Sequence, residues 1–360
     1  MNTTRYYLGF NLVPGLGPAR LARLVAHCGS IEAAWHADAF ALAAAGVDAR
    51  SSAALLAARE RLDLDAELRR VSSAGIQILT LDDPGYPRLL REAPGAPPLL
   101  YVRGSLTPAD DWGIAVVGTR TPTPYGQEAA RRLASDLARA GATIVSGLAL
   151  GIDTIAHEAA LESGGRTLAV LGSGVDRPYP GRNRHLAERI VAQGALISDY
   201  PLGTAPAAAN FPPRNRIISG LARGTLVVEA SERSGALITV AFALEQGREV
   251  LAVPGPIFSR QSVGTNRLLR DGAALAGSAE DVLTALEMTT ATVQREARAE
   301  LPDDPTEAAL LEQLSYAPRH IDELGRAAGL PAPAVAAALA MLELKGVVRQ
   351  PVPLHYVLAR

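Results

Sequence analysis

Cysteine is all but missing: Cys28 stands alone in 360 residues. No disulfide can close within the chain, and a cysteine-based zinc site is excluded. Lysine is as scarce. Lys345 is the only one among 35 basic residues, and it lies in an Ala/Leu-rich helical stretch. A Walker A loop needs a lysine beside its phosphates and a Schiff-base enzyme needs a lysine amine. Neither class fits. Aromatic residues make up 4%, so Ala, Leu and Val must fill the core. No uncharged apolar run approaches the roughly 18 residues of a membrane span. The opening MNTTRYYLGF lacks the basic-then-apolar pattern of a secretory signal. A cytoplasmic location is expected. The net charge of −2 excludes a global basic field, so any nucleic-acid site must be a local patch.

What the chain does have is order. Residues 1–80 read as a small helical module, with helices at Ile31–His36, Ala39–Ala45 and one long helix from Ser51 to Ser73. From Gly113 short Val/Ile/Leu runs alternate with helical stretches. The runs are Gly113–Val117, Thr143–Ser146, Thr167–Leu171, Ala195–Ser198, Gly224–Val228 and Val250–Val253. Continuous apolar runs suit strands buried on both faces, and the alternation predicts an α/β domain with a doubly wound, mostly parallel, Rossmann-like sheet over 81–287. Residues 288–305 are polar and Pro-bearing, as in a linker. Residues 306–360 suggest a winged helix, but its second helix, Pro333–Lys345, offers mainly Ala and Leu where a DNA-reading helix needs Arg, Lys, Asn or Gln. Contact with a protein, or support of the core, suits it better.

Two loops carry chemistry. Gly118-Thr119-Arg120 follows a strand and precedes Thr123, a good N-cap, and Pro124, a good first helical residue. Such a turn at an open helix N-terminus binds anions, and Arg120 adds bidentate donors. A capped helix beside a surface arginine is the plainer reading. The dinucleotide fingerprint G-x-G-x-x-G is absent, which argues against an NAD enzyme. The second loop is Phe211-Pro212-Pro213-Arg214-Asn215-Arg216. Cations beside an aromatic ring are what a single strand needs: charge for the phosphates and a ring for a base. Phe211 as a core anchor and Arg216 as an ion-pair partner are the alternatives. Asp153, His157, Asp176, Asp199, Glu229, Ser231, Ser234 and Thr239 are polar enough to build an acid/base site. Asp153 and His157 share a helical face but have no third ligand near them, so no metal is expected. Near the N-terminus, Gly15-Leu16-Gly17 forms a helix-hairpin-helix pattern that reads equally as a phosphate site or as an interaction module.

Val116–Arg120, Val145–His157, Leu168–Asn183, Phe211–Leu221, Val227–Thr239 and Glu245–Gly255 occur in an order that resembles the DNA-processing protein A (DprA/Smf) family over Asp82–Leu286. The resemblance implies an N-terminal sterile-alpha-motif-like domain, a Rossmann core and a winged helix. It implies sequence-independent binding of single-stranded DNA and loading of a RecA-type recombinase in natural transformation. It also implies contact with a single-strand-binding protein and a homodimer through the Rossmann domain, with no cofactor and no enzymatic activity. Gly118, Thr119 and Arg120 would form the phosphate pocket, with Arg214, Asn215, Arg216 and Phe211 beside it. Some members place a lysine just before the aromatic or near the Tyr-Pro-x-x-Asn turn. Here the first stretch is Ala207-Ala208-Ala209, and Arg182 and Arg184 supply charge at the second. The competing enzyme reading is a nucleotide phosphoribohydrolase on a related Rossmann fold, whose Pro-Gly-Gly-x-Gly-Thr turn is missing.

Overall fold

The structure, a computed structural model, describes residues 3–288, 305–314, 319–344 and 348–358. The expected linker at 288–305 lies almost wholly outside them. Contacts divide the chain into two units, Met1–Leu286 and Glu287–Arg360.

The first unit opens with six helices: α1 (Thr4–Asn11), α2 (Pro18–Cys28), α3 (Ile31–His36), α4 (Ala39–Ala44), α5 (Ala49–Arg61) and α6 (Leu64–Ser73). The single helix expected from Ser51 to Ser73 is two. Leu62 turns extended, and the Asp63 carboxylate caps the new helix by accepting from the Ala66 amide at 2.9 Å. A local side-chain acceptor ends one helix and starts the next.

These helices dock on a nine-stranded sheet. Its strands are β1 (Gln77–Thr80), β2 (Leu99–Gly104), β3 (Gly113–Val117), β4 (Thr143–Ser146), β5 (Thr167–Val170), β6 (Ala195–Ser198), β7 (Gly224–Val227), β8 (Glu249–Ala252) and β9 (Ala274–Leu275). The spatial order is β1-β2-β6-β5-β4-β3-β7-β8-β9. β3 to β9 and β6 pair in parallel, while β1–β2 and β2–β6 are antiparallel. The sheet therefore begins at Gln77, ahead of the boundary expected at 81. Side chains alternate across β2 as strand geometry requires. Leu99 and Tyr101 join the core under the N-terminal helices, and Leu100 and Val102 join the core on the opposite face. Tyr7, Asn11 and Tyr101 lock the helical module to the sheet. Asn11 donates to the Asp199 carbonyl at 2.9 Å and accepts from the Tyr101 hydroxyl at 3.0 Å.

Next along the chain come α7 (Arg88–Glu92), α8 (Pro124–Arg139), α9 (Ile152–Glu162), α10 (Arg184–Gln193), α11 (Phe211–Gly220) and α12 (Ala236–Glu245), of which α8, α9, α11 and α12 matter for the site. From β3 the chain winds outward through β4, β5 and β6. It then returns to lay β7 on the other side of β3. The loops after β3 and β7 leave the sheet at this reversal, where open α/β sheets form their ligand crevice.

The second unit holds a helix at Pro305–Gln313, a helix pair at Ile321–Ala328 and Ala332–Leu344, and a small sheet of Arg319–His320, Val348–Val352 and His355–Leu358. The pair bends by 110°, as in a helix-turn-helix. Leu324, Val335, Leu339 and Leu342 form its core. The second helix exposes Ala336, Ala337, Ala340 and Met341. Among the described residues no single helix is long and apolar enough to cross a membrane.

Candidate nucleic-acid interface

A cavity of about 400 Å³ opens at the β3/β7 reversal. Gly118, Thr119 and Arg120 form one wall, and the loop Ser231–Ala236 forms the other. Phe211, Arg214 and Asn215 enter from the start of α11. Six of the nine residues expected at the site thus meet in one cavity.

Arg120 is exposed and makes no ion pair or side-chain hydrogen bond among the described residues. Its guanidinium carbon stands 5.9 Å from the centre of the Phe211 ring. Phe211 is half-buried and seated on the end of β5. A Cβ at Gly172 would come within 2.8 Å of its Cδ1, so glycine there makes room for the ring. Neither a free surface ring nor a core anchor describes Phe211: one part of it packs and the rest lines the cavity.

Arg214 is not the free clamp that its loop suggested. Its side chain is buried, and Nη1 donates to the carbonyl of Gly147 at 2.7 Å and to that of Val170. A Cβ at Gly147 would meet this guanidinium at 2.5 Å. Two strand ends present carbonyls that would otherwise be dry and unsatisfied, and Arg214 answers both. Burial pushes its pKa down to about 10, with Asp153 opposing that shift. Its guanidinium carbon lies 6.0 Å from the Phe211 ring centre. It gives the cavity floor a fixed positive charge.

Arg216 points elsewhere. It forms an ion pair with Asp199 at 2.5 Å and lines no part of this cavity. The ion-pair alternative describes it. Arg184 lines a neighbouring cavity and Arg182 is exposed on the turn beside it.

The expected open N-terminus of α8 is occupied. Thr123 does cap it, accepting from the Gly126 amide at 3.2 Å. The buried Glu229 carboxylate then accepts from the Thr123 amide at 2.9 Å and from its hydroxyl at 2.6 Å. A carboxylate already satisfies the positive helix end, so attraction for an anion at the cavity falls to the two arginines.

Asp153 and His157 are committed internally. The Asp153 carboxylate accepts from the amides of Gly147 and Ala149 at 3.1 and 3.3 Å. Burial pushes its pKa up. Thr167 spends its hydroxyl proton on the Ile144 carbonyl, so His157 Nδ1 is the donor in their 2.7 Å contact. Nε2 then accepts from the Leu148 amide at 3.4 Å. Burial pushes the imidazole down to about 3, so it stays neutral. Both side chains hold the β4–α9 loop against Arg214.

Comparison with known proteins places the chain in a family. Residues 77–287 match the model of DNA recombination-mediator protein A, and residues 294–351 match that of the DprA winged helix domain. Protein Smf of Synechocystis sp. is 36% identical over 98% of both chains. The chain belongs to the DprA/Smf family. The solved DNA processing protein A of Streptococcus pneumoniae superposes with a TM-score of 0.69 at 34% identity, covering 78% of this DprA-family chain and 97% of its own. The Helicobacter pylori protein, whose structure is described for its single-stranded DNA binding mode, gives a TM-score of 0.52 at 31% identity over 59% of this chain and 96% of its own. Sequence reasoning missed a neighbouring pair outside this cavity. Arg177 and Tyr179 sit in the turn before Arg182, and only the fold brings Tyr179 against Phe211.

Proposed function

We propose that this chain binds single-stranded DNA without sequence preference. A phosphate sits at the Gly118-Thr119-Arg120 turn and a base rests against Phe211. The observation that carries the reading is the pairing of an uncommitted guanidinium with an aromatic ring at the mouth of a cavity that has a cation in its floor. Cations with a stacking ring are the economy of single-strand binding. Family membership and the binding mode described for the Helicobacter pylori relative support it.

The wider role follows the family: protecting single strands and loading a RecA-type recombinase during recombination and natural transformation. A single-strand-binding protein is a further partner, and a homodimer through the Rossmann domain is the working assembly, in the cytoplasm and without catalysis. The N-terminal helices over 1–80 and the winged helix over 306–360 serve this core as accessory domains. The apolar second helix of the latter suits a protein contact better than base reading.

The test is fluorescence anisotropy with labelled oligo-dT and a matched duplex across a salt series. Wild type prefers the single strand, and Arg120→Ala weakens binding and flattens the salt slope by about 0.7 per lost phosphate contact. Equal binding by Arg120→Ala would remove the site; no binding by wild type at low salt would remove the function.

A further inference from the structure

The turn after β5 carries Tyr179, half exposed, with its ring centre 5.8 Å from that of Phe211 and tilted by 35°. Tyr179 lines a second cavity of about 520 Å³, together with Arg177 and Arg184. Phe211 lines the first. Two cavities therefore meet at a pair of touching rings.

The charges around Tyr179 are uncommitted. Arg177 and Arg184 are exposed and make no ion pair or side-chain hydrogen bond among the described residues. The third arginine of the cavity, Arg103, is neutralised by Glu188 at 2.7 Å. Asp176 also lines the cavity and keeps its negative charge, but its carboxylate is turned to the Gly203 amide, both oxygens at 3.0 Å, and forms no ion pair with Arg177. Nor does the Tyr179 hydroxyl have a partner among the described residues. An exposed ring with an idle hydroxyl, sharing a cavity with two free guanidinium groups, adds little to a core. It is what a nucleotide needs on one side of its base and phosphate.

The ring spacing says how bases would lie. Inserting a base between two rings requires about 7 Å, twice a carbon contact distance of roughly 3.5 Å. At 5.8 Å the rings leave no room for a base between them, so each offers a base only its own free face. We infer that Tyr179, Arg177 and Arg184 form a second nucleotide subsite, which takes the nucleotide next to the one held at Arg120 and Phe211. The base lies on Tyr179 and its phosphate lies between the two arginines. The inference rests on the single-strand reading above and gives the strand a direction, toward the β5 end of the sheet.

The test is competition binding by the full chain against a ladder of oligo-dT, from about two to about twelve nucleotides. In wild type, affinity steps up about 5- to 150-fold once the oligomer is long enough to cover Tyr179. Tyr179→Ala removes that step and leaves the shortest oligomer's affinity unchanged. Tyr179→Phe retains the step, since stacking needs only the ring. Arg177→Gln, which leaves the ring in place, lowers the salt slope on the longer oligomers by about 0.7. If Tyr179→Ala binds every length as wild type does, or weakens all lengths alike, the subsite does not exist. If wild type binds and Arg120→Ala weakens every length while Tyr179→Ala changes none, only this inference falls. If wild type binds no oligomer, the single-strand reading falls first and takes the subsite with it.

Discussion

Replacing Arg214 by alanine separates folding from binding. The guanidinium donates to the carbonyls of Gly147 and Val170, at the ends of β4 and β5. Hydrogen bonds from a charged donor contribute about 1.5–3 kcal/mol each. Removing the cation also leaves the buried Asp153 carboxylate with neutral partners, the Gly147 and Ala149 amides and the Ser146 side chain, and no compensating charge. Stripping one partner from such a buried arrangement costs about 3–5 kcal/mol. Arg214→Ala is therefore expected to destabilise the Met1–Leu286 unit by that amount, well beyond the usual effect of a surface change. Arg120, exposed and without a polar partner, supplies the control. Its alanine variant should unfold within about 0.5 kcal/mol of wild type yet lose oligo-dT affinity.

Urea denaturation followed by far-ultraviolet circular dichroism measures the first effect, and anisotropy on the folded proteins measures the second. If Arg214→Ala unfolds at the wild-type midpoint but binds poorly, its guanidinium is a ligand contact and the brace described here is wrong. If Arg120→Ala is the destabilised variant, the two roles are reversed.

Burial holds the His157 imidazole down to about 3, whereas the unfolded chain takes up that proton near 6.5. Its stabilising contribution is complete above about pH 6.5 and falls by up to about 1.4 kcal/mol per pH unit from there toward pH 3. Asp153 and Asp199, whose carboxyls burial pushes up, act in the opposite sense as pH falls. Comparing wild type with His157→Gln in pH-dependent urea melts isolates the imidazole, and an equally steep fall in the variant would refute the assignment. Gly172→Ala places a Cβ 2.8 Å from Phe211 Cδ1 and must displace the ring. Oligo-dT affinity should drop by about 1–3 kcal/mol, as for Phe211→Ala, and unchanged affinity in both variants would make Phe211 mere packing.

Strands buried on both faces announce themselves as unbroken apolar runs, so Gly113–Val117 and its neighbours were legible within a residue or two. Cap chemistry is legible too at Thr123, whereas the cap at Asp63 is masked by the long Ala/Leu-rich stretch around it. The site's cast was legible, but its division of labour was not. Arg214 and Arg216 read alike in sequence, two positions apart. On a helix that offset turns side chains to different faces, so one meets carbonyls far away along the chain while the other meets Asp199. Nothing local marks those partners. The same holds for Glu229, which reaches the α8 N-terminus from the far side of the β3/β7 reversal. Arg177 and Tyr179 look like an ordinary turn until the fold sets the ring against Phe211.

That division of labour limits how salt can act on binding. The whole chain carries a net charge of −2, so long-range attraction for a polyanion is weak and local cations must do the work. Around the two cavities the exposed arginines without an ion pair or side-chain hydrogen bond among the described residues are Arg120, Arg177, Arg182, Arg184 and Arg233. Arg214 is buried against two carbonyls and Arg216 is paired with Asp199, so neither releases phosphate counterions of its own. Five phosphate contacts at about 0.7 each give a salt slope no steeper than about −3.5 for one Met1–Leu286 unit on one single strand. A slope near that value, shallower by about 0.7 for each arginine removed, matches a strand held on this edge of the sheet alone. A slope twice as steep means that cations outside these cavities touch the same strand. Repeating the series with the chain truncated after Leu286 then decides their source. Loss of the excess assigns it to the winged helix, and its persistence assigns it to the N-terminal helices or a second copy of the core.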